Sequence, residues 1–201
     1  MEGSTIVNHK VKIAIFASGG GSNAEKIIGY FRNNATIEVS LIVSNKVDAG
    51  VLKIAALNNI NSLIITKRSF SQTNEIIDML KSLQIDMVVL AGFLWLVPIH
   101  FVEAFPNKIL NIHPSLLPKY GGKGMYGHHV HEAVKANQDK ESGMTIHLVN
   151  EKFDDGNIIF QEKCAIDAKM DASEIAAEVL KLEHTYYPQI IEEFIKNKIA
   201  K

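Results

Sequence analysis

The chain has 201 residues, of which 47% are hydrophobic and 21% are charged, and its formal net charge is -1. This length and composition are typical of one folded domain and exclude a disordered or fibrous protein. The balanced charge offers no basic surface for nucleic acid or anionic lipid, and the apolar runs are shorter than the ~20 residues of a membrane-spanning helix. We therefore expect small-molecule partners, no nucleic acid and no membrane.

The N-terminus has the composition of a loose tail. Residues 1–10 are mostly polar and lack the apolar stretch and small-residue cleavage site of a secretory signal. The single cysteine, Cys164, cannot form an internal disulfide. We predict a flexible tail over residues 1–10, one domain over residues 11–201 and a cytoplasmic location.

The first half of the chain alternates between apolar, β-branched runs and amphipathic segments. The predicted strands are residues 11–17, 37–44, 62–65, 86–91 and 108–112. The predicted helices are residues 22–31, 49–57 and 74–83. This alternation is typical of βαβ units, in which helices cover both faces of a parallel sheet.

The second half has a different pattern. Two alternating runs, residues 144–149 and 158–166, flank a polar turn that contains Asp154, which indicates a β-hairpin. A capping-box pattern at Asp171 and Glu174 begins a long amphipathic helix that extends toward Lys198. The predicted fold is therefore a single-domain, Rossmann-like α/β fold with a mostly parallel sheet flanked by helices and an antiparallel hairpin in the C-terminal half.

A glycine-rich segment, residues 18–23, joins the first predicted strand to the first helix. Unpaired N–H groups and the helix dipole attract anions at such a position, so we predict that the segment holds a phosphate. It also matches a loose dinucleotide-binding pattern, but Ser44-Asn45-Lys46 stands where that pattern requires an acidic residue. A monophosphate therefore fits better than a dinucleotide. The alternative is a glycine-rich turn without a ligand.

Asn111 and His113 lie at the end of a predicted buried strand, where open α/β sheets bind ligands. Side chains two positions apart in a strand project to the same side, so an amide and an imidazole can face one carbonyl group. The amide suits an oxyanion and the imidazole suits proton transfer, which together indicate acyl transfer. The alternative is a structural histidine at a strand end.

Asp154 completes this acid/base set if the hairpin turn comes close to His113, because a carboxylate favours the protonated imidazole. The alternative is an ordinary Asp-Asp-Gly turn. Residues 119–131 are glycine-rich and contain His128, His129 and His131. We predict a mobile loop over the site rather than a zinc site, because neither Cys nor H-x-x-x-H spacing accompanies these histidines. No metal is expected.

Five segments, in their order along the chain, resemble the phosphoribosylglycinamide formyltransferases of purine biosynthesis, a folate-dependent formyltransferase family. They are residues 18–23, 90–93, 111–118, 153–156 and 183–184. The resemblance implies that the amine of glycinamide ribonucleotide attacks the formyl carbon of 10-formyltetrahydrofolate, the co-substrate. It also implies a monomer or homodimer.

The resemblance assigns roles to individual residues. Asn111 would bind the formyl oxygen, His113 would be the acid/base group, and Asp154 would hold the imidazole in its useful charge state. The substrate phosphate and ribose would contact Gly21, Ser22, Asn23 and Glu183. The folate would contact Leu94, Trp95, Leu96, Val97, Asn111, Asn150, Phe153 and Asp154.

The chain departs from the family pattern near the folate. Many members carry Met-Arg where this chain has Leu94-Trp95, and Arg68 is a candidate for replacing an arginine that some members use toward the folate glutamate. Three alternatives stay open. Methionyl-tRNA formyltransferases normally add a C-terminal RNA-binding domain, and formyltetrahydrofolate hydrolases add an N-terminal regulatory domain. A noncatalytic nucleotide-binding module of Rossmann-like form would leave Asn111, His113 and Asp154 without a joint explanation.

Overall fold

A computed structural model describes residues 10–199, so the predicted tail lies outside the described residues except for Lys10. Within this part of the chain the strands form one seven-stranded sheet in the order β3-β2-β1-β4-β5-β6-β7. The strands are β1 (Val11–Phe16), β2 (Ile37–Ser44), β3 (Asn61–Ile64), β4 (Met87–Leu90), β5 (Ile109–His113), β6 (Glu141–Leu148) and β7 (Ile158–Ala165). The helices are α1 (Ser22–Phe31), α2 (Gly50–Leu57), α3 (Lys67–Ser71), α4 (Glu75–Ser82), α5 (Ile99–Ala104), α6 (His128–Ala136) and α7 (Ala172–Lys198).

The strands β1 to β5 pair in parallel, whereas β6 and β7 pair antiparallel to their neighbours. Successive side chains of β1 enter two different cores: Ile13 and Ile15 pack on the face covered by α1 and α7, while Ala14 and Phe16 pack on the face covered by α4 and α5. Both faces of β1 are therefore apolar, as expected for a central parallel strand. The predicted α/β fold with its C-terminal hairpin is confirmed.

The long helix α7 begins where the sequence pattern predicts. The Asp171 side chain accepts hydrogen bonds from the N–H groups of Ser173 and Glu174, and the Glu174 side chain accepts one from the Asp171 N–H. Farther along α7, the buried Tyr187 hydroxyl lies 3.0 Å from the Leu90 carbonyl oxygen and 3.2 Å from that of Leu110. The hydroxyl therefore fixes α7 against the ends of β4 and β5, close to the predicted site.

The structure corrects the prediction for residues 119–131, because the last four of these residues form the first turn of α6 rather than a loop. The buried face of α6 consists of Val130, His131 and Val134, and its polar histidine weakens the apolar periodicity that identifies a helix. The sequence pattern also did not predict the short helices α3 and α5, because they contain only five and six residues. Among residues 10–199, no helix is long and apolar enough to cross a membrane.

Candidate active site

A cavity of about 690 Å³ opens at the carboxyl ends of the parallel strands. Its lining brings together Asn111 and His113 from β5, Asp154 from the β6–β7 turn, Asn23 from α1 and Glu183 from α7. Residues from four separate segments of the chain therefore meet at the edge of the sheet where α/β folds bind ligands.

The structure brings the three predicted acid/base residues into contact. His113 is buried, and its Nδ1 lies 3.4 Å from Oδ1 of Asp154. The Asn111 amide nitrogen lies 3.5 Å from the same carboxylate oxygen. Asp154 itself has a positive φ of 53°, so the turn holds this non-glycine residue in the left-handed region. Backbone strain of this kind is often found at functional sites.

The other nitrogen of His113 is also occupied. Nε2 lies 2.7 Å from the carbonyl oxygen of Tyr120. Because a carbonyl oxygen only accepts, Nε2 carries a proton and donates it. Nδ1 then faces the Asp154 carboxylate, and a second proton on Nδ1 would make an ion pair with it. The surroundings of the ring therefore complement the imidazolium form.

His147 belongs to the same cluster, although the sequence analysis did not identify it. It pairs with Asn111 across the β5–β6 ladder, and its Nε2 lies 3.1 Å from the Asn111 amide nitrogen. Its Nδ1 lies 2.8 Å from the Leu148 carbonyl oxygen and therefore donates, which leaves Nε2 of the neutral ring to accept from Asn111. His147 thus orients the Asn111 amide. Only the antiparallel register could have indicated this contact.

Asp154 is ionised in this environment. Burial by itself would raise the pKa of its carboxyl group, but the hydrogen bond and positive charge of His113, the adjacent His147 ring and the Gly122 N–H hold that pKa well below its usual range. The Gly122 nitrogen lies 3.0 Å from Oδ2 of Asp154. The carboxylate consequently keeps its negative charge beside the imidazole at neutral pH.

The glycine-rich segment turns sharply before α1. Gly21 has a φ of +87°, and a Cβ at this position would lie 2.8 Å from the Val51 Cβ atom. No side chain caps the N-terminus of α1, so its first N–H groups remain open to an anion. Asn23 lines the main cavity. Gly21 and Ser22, which come just before it in the chain, do not line this cavity.

Asn23 and Glu183 form a hydrogen-bonded pair at the wall of the cavity. The Asn23 amide donates to Oε2 of Glu183 over 2.6 Å. Burial raises the pKa of Glu183, while the bond from Asn23 partly offsets this effect. The buried Asn23 Oδ1 has no hydrogen-bond partner within residues 10–199, so it is free to accept one from a ligand.

The predicted folate-binding residues are divided between two adjoining cavities. Leu94, Phe153 and Asp154 line the main cavity, and a smaller cavity of about 50 Å³ beside it is lined by Trp95, Leu96, Val97, Asn111, Phe153 and Asp154, among others. Asn150 is absent from both linings. Its side chain instead accepts from the Lys152 N–H and donates to Asp155, which shapes the turn before Asp154.

Lys123 is another residue that the sequence analysis missed. Of the residues that line the main cavity, it supplies the only Lys or Arg side chain. It stands between Gly122 and Gly124, whose φ values of 95° and 91° suit glycine. A flexible cation therefore extends from the segment that hydrogen bonds to Asp154.

The histidines of α6 differ from one another in their environments. His128 and His129 are exposed and pair with Glu132, whereas His131 is buried. Burial, together with the positive charges of His128 and His113, lowers the pKa of His131 to about 4. Across residues 10–199 there is no group of three His, Cys, Asp or Glu side chains placed to hold a metal ion.

The family model described as "Formyl transferase" matches residues 11–191. The chain belongs to the formyl transferase family. This formyl transferase is 40% identical to the chloroplastic phosphoribosylglycinamide formyltransferase of Arabidopsis thaliana, over 99% of the chain and 70% of that protein. It is 36% identical to the phosphoribosylglycinamide formyltransferase of Haemophilus influenzae, over 94% of the chain and 89% of the relative.

Solved structures agree with the sequence relatives. The phosphoribosylglycinamide formyltransferase of Anaplasma phagocytophilum superposes with a TM-score of 0.85 at 30% identity, covering 94% of this formyl transferase and 88% of that chain. The enzyme of Bacillus halodurans gives a TM-score of 0.83 at 33% identity, with 94% and 97% covered. The resemblance found in the sequence is confirmed.

Proposed function

We propose that this formyl transferase moves the formyl group of 10-formyltetrahydrofolate to the amine of glycinamide ribonucleotide in de novo purine biosynthesis. The observation that carries the proposal is the meeting of Asn111, His113 and Asp154 at one end of a cavity that also contains the Asn23–Glu183 pair. The names of the relatives from Arabidopsis thaliana and Haemophilus influenzae support formyl transfer to the same acceptor.

Asn111 stabilises the oxyanion. Attack of the amine on the formyl carbon forms a C–N bond and moves negative charge to the formyl oxygen. One N–H of the Asn111 amide is held by His147 at 3.1 Å, while the other makes only a 3.5 Å contact with Asp154. The N–H with the weaker contact can leave Asp154 and donate to the oxyanion, while His147 keeps the amide in orientation.

His113 transfers the proton. The attacking amine must lose a proton, and the folate nitrogen must gain one as its bond to the formyl carbon breaks. Because Tyr120 holds Nε2, the exchangeable position of His113 is Nδ1, which faces Asp154. The negative charge of Asp154 stabilises the ring while it carries the proton, as expected for an acid/base pair.

The substrates bind on opposite sides of this group. The open N–H groups around Gly21, Ser22 and Asn23 hold the phosphate, and Glu183 accepts a hydrogen bond from the ribose. The folate lies along the segment Leu94 to Val97 and the turn that contains Asn150, Phe153 and Asp154, where Leu94 is 40% exposed and offers an apolar surface. Small-molecule substrates, a monomeric or homodimeric state and a cytoplasmic location remain our predictions.

A formyl-transfer assay with glycinamide ribonucleotide and 10-formyltetrahydrofolate tests the proposal directly. We expect tetrahydrofolate to form only when both substrates are present, and His113→Ala to abolish most of this rate. His129→Ala is the matched control, because His129 is exposed and does not line the cavity. Formate release without the amine substrate would indicate a hydrolase instead. Transfer to methionyl-tRNA in preference to the ribonucleotide would also overturn the proposal.

A further inference from the structure

Tyr120 connects the buried imidazole of His113 to a polar cluster just after the C-terminal end of α6. Its carbonyl oxygen accepts from His113, while its hydroxyl lies 2.7 Å from Oδ2 of Asp139. The Asn137 amide donates to the same hydroxyl over 2.7 Å. Asn137 and Asp139 lie in the loop between α6 and β6. Tyr120 therefore joins this loop to the acid/base group.

The backbone of Tyr120 is held in an unfavourable conformation. Its φ of +55° lies in the left-handed region, which is unfavourable for a non-glycine residue. Such a conformation persists only when surrounding contacts over-determine it. Here the hydroxyl anchor at Asp139 and Asn137 and the hydrogen bond from His113 hold opposite ends of the residue.

The hydrogen bonds of the Tyr120 hydroxyl to Asp139 and Asn137 also persist at neutral pH. Burial raises the pKa of Tyr120 most strongly, the hydrogen bond with Asn137 lowers it, and the adjacent Asp139 carboxylate raises it again, so the net change is upward. The hydroxyl therefore keeps its proton and donates it to Asp139, while its oxygen accepts from Asn137. Lys119, whose ammonium lies 3.4 Å from Oδ2 of Asp139, adds only an exposed ion pair.

The carbonyl of Tyr120 determines which nitrogen of His113 keeps a permanent proton. With Nε2–H donating to this carbonyl, only Nδ1 is left to exchange a proton beside Asp154. If the peptide after Tyr120 turned away, the neutral ring could instead place its single proton on Nδ1, donating to Asp154. That tautomer would leave Nε2 as the free position, facing away from the carboxylate.

We propose that Tyr120 is a positioning residue for formyl transfer: its hydroxyl, held by Asp139 and Asn137, fixes the backbone carbonyl that keeps the His113 proton on Nε2 and so directs Nδ1 to the reaction. The inference rests on the proposed acid/base role of His113. The other titratable groups that face His113 are Asp154, His147, His131 and Glu183, and none of them contacts Nε2.

The test compares variants that remove the anchor with variants that remove a similar bond elsewhere. Tyr120→Phe and Asp139→Ala each remove the hydroxyl–carboxylate bond, whereas Asp139→Asn keeps an oxygen acceptor. Tyr30→Phe is the matched control, because the Tyr30 hydroxyl also donates to a carboxylate, Oε2 of Glu192, over 2.7 Å. The measurements are kcat and KM for both substrates, the pH profile of kcat/KM, and the ¹⁵N shifts of the His113 ring in the full chain.

We expect Tyr120→Phe and Asp139→Ala to lower kcat by about 10-fold, the lower end of typical losses for residues that orient a reacting side chain, with KM nearly unchanged. The alkaline limb of the pH profile should move to lower pH, and the ¹⁵N shifts should show protonation of Nδ1 in the neutral ring. Asp139→Asn should restore most of the rate, and Tyr30→Phe should change none of these quantities.

Two results would overturn the proposal: a neutral His113 that keeps its proton on Nε2 in Tyr120→Phe, or a kcat loss no larger than that of Tyr30→Phe. If Tyr120→Phe does not fold, Asp139→Ala decides the question, because it removes the anchor and leaves the tyrosine in place. If the wild-type chain transfers no formyl group, the proposed function fails. The ¹⁵N comparison still shows whether Tyr120 controls the ring.

Discussion

The two halves of the sheet supply the site with different kinds of groups. In the N-terminal half, β1 and β4 are buried on both faces, and the adjoining segment offers mainly backbone N–H groups around Gly21. In the C-terminal half, β7 alternates between exposed and half-buried residues, and the groups supplied to the site are side chains: His113 and Asp154 line the main cavity, and His147 contacts Asp154. Our proposal therefore assigns binding of an anion and transfer of a proton to separate halves of the fold.

Strand direction explains the anion-binding half, and the path of the β6–β7 turn explains the other. Parallel strands all end at the same edge, so the helix that follows β1 presents its N-terminus there and attracts anions. β6 runs antiparallel to β5, so its last residue, Leu148, pairs with Leu110 near the start of β5, and the path of the following turn brings Asp154 to within 3.4 Å of His113 although 41 positions separate them in sequence (154 minus 113). Substitutions in one half of the sheet should therefore change different kinetic constants from substitutions in the other half.

The largest effects should come from the C-terminal half. We expect His113→Ala to lower kcat/KM by roughly 100- to 10,000-fold, the usual range for a lost acid/base group. Asp154→Asn removes a charge that the depressed pKa of Asp154 keeps in place at neutral pH, so the alkaline limb of the rate profile should move to lower pH. Because residues that act as a unit give nonadditive losses, the double variant should be little worse than the worse single variant.

The measurement is kcat/KM across pH for the wild type, both single variants and the double variant. Fully multiplicative losses, or a pH profile that Asp154→Asn leaves unchanged, would mean that Asp154 is only a turn residue. The far-ultraviolet circular dichroism of each variant controls for loss of the fold.

A substitution at Asn111, in the same half of the sheet, should cause a smaller loss of rate. Asn111→Ala should lower kcat by ~100- to 1,000-fold with little change in KM, because the lost amide donates mainly to the oxyanion. Asn61→Ala, an exposed change at the far edge strand, is the control. Turnover of Asn111→Ala within a few-fold of the wild type would remove this residue from the mechanism.

The N-terminal half should respond in KM. Gly21→Ala places a Cβ against Val51 and forces a non-glycine residue to a φ of +87°, so the turn must move. We expect KM for the phosphorylated substrate to rise about 10-fold or more, since a hydrogen bond to a charged group is worth on the order of 1.5 kcal/mol or more. KM for the folate should change far less. Equal increases for both substrates would count against the phosphate assignment.

Gly29→Ala is the matched control for this variant, because a Cβ on Gly29 in α1 meets nothing within 4 Å. The thermal midpoint of each glycine variant should be measured beside its kinetics. A low midpoint with unchanged KM values would show that Gly21 only shapes the chain.

The smallest effect concerns stability rather than rate. Burial lowers the pKa of His131 from 6.5 to about 4, so between these values the unfolded chain binds a proton that the folded chain does not. The free energy of unfolding should therefore fall as the pH falls from 6.5 toward 4, by on the order of 3 kcal/mol for the full shift. His131→Leu should flatten the decline in the free energy of unfolding across this window.

Urea unfolding at several pH values measures this difference, with the exposed His129→Ala as the control. Parallel stability curves for the wild type and His131→Leu would show that His131 does not titrate in this way. A flattened curve with unchanged KM values would limit its role to the packing of α6.

Much of the fold follows from local patterns in the sequence. Apolar runs with period two and amphipathic segments with period 3.6 identify β1, β2 and α7 because each pattern records which side chains face the core. The Asp171 and Glu174 cap was visible for the same reason, since its donors and acceptors lie within one helical turn. Asn111 and His113 could be recognised because they adjoin each other at a strand end.

Only the tertiary structure decided which distant groups meet. His147 faces Asn111 through the antiparallel register of β5 and β6, and the Tyr120 carbonyl lies beside His113 while the Tyr120 hydroxyl contacts Asp139, after α6. Neither contact has a local signature, because a polar residue in a strand or loop gives the same pattern whether or not it meets a partner. Strand order, register and loop path set these distances, and they depend on how the whole core packs.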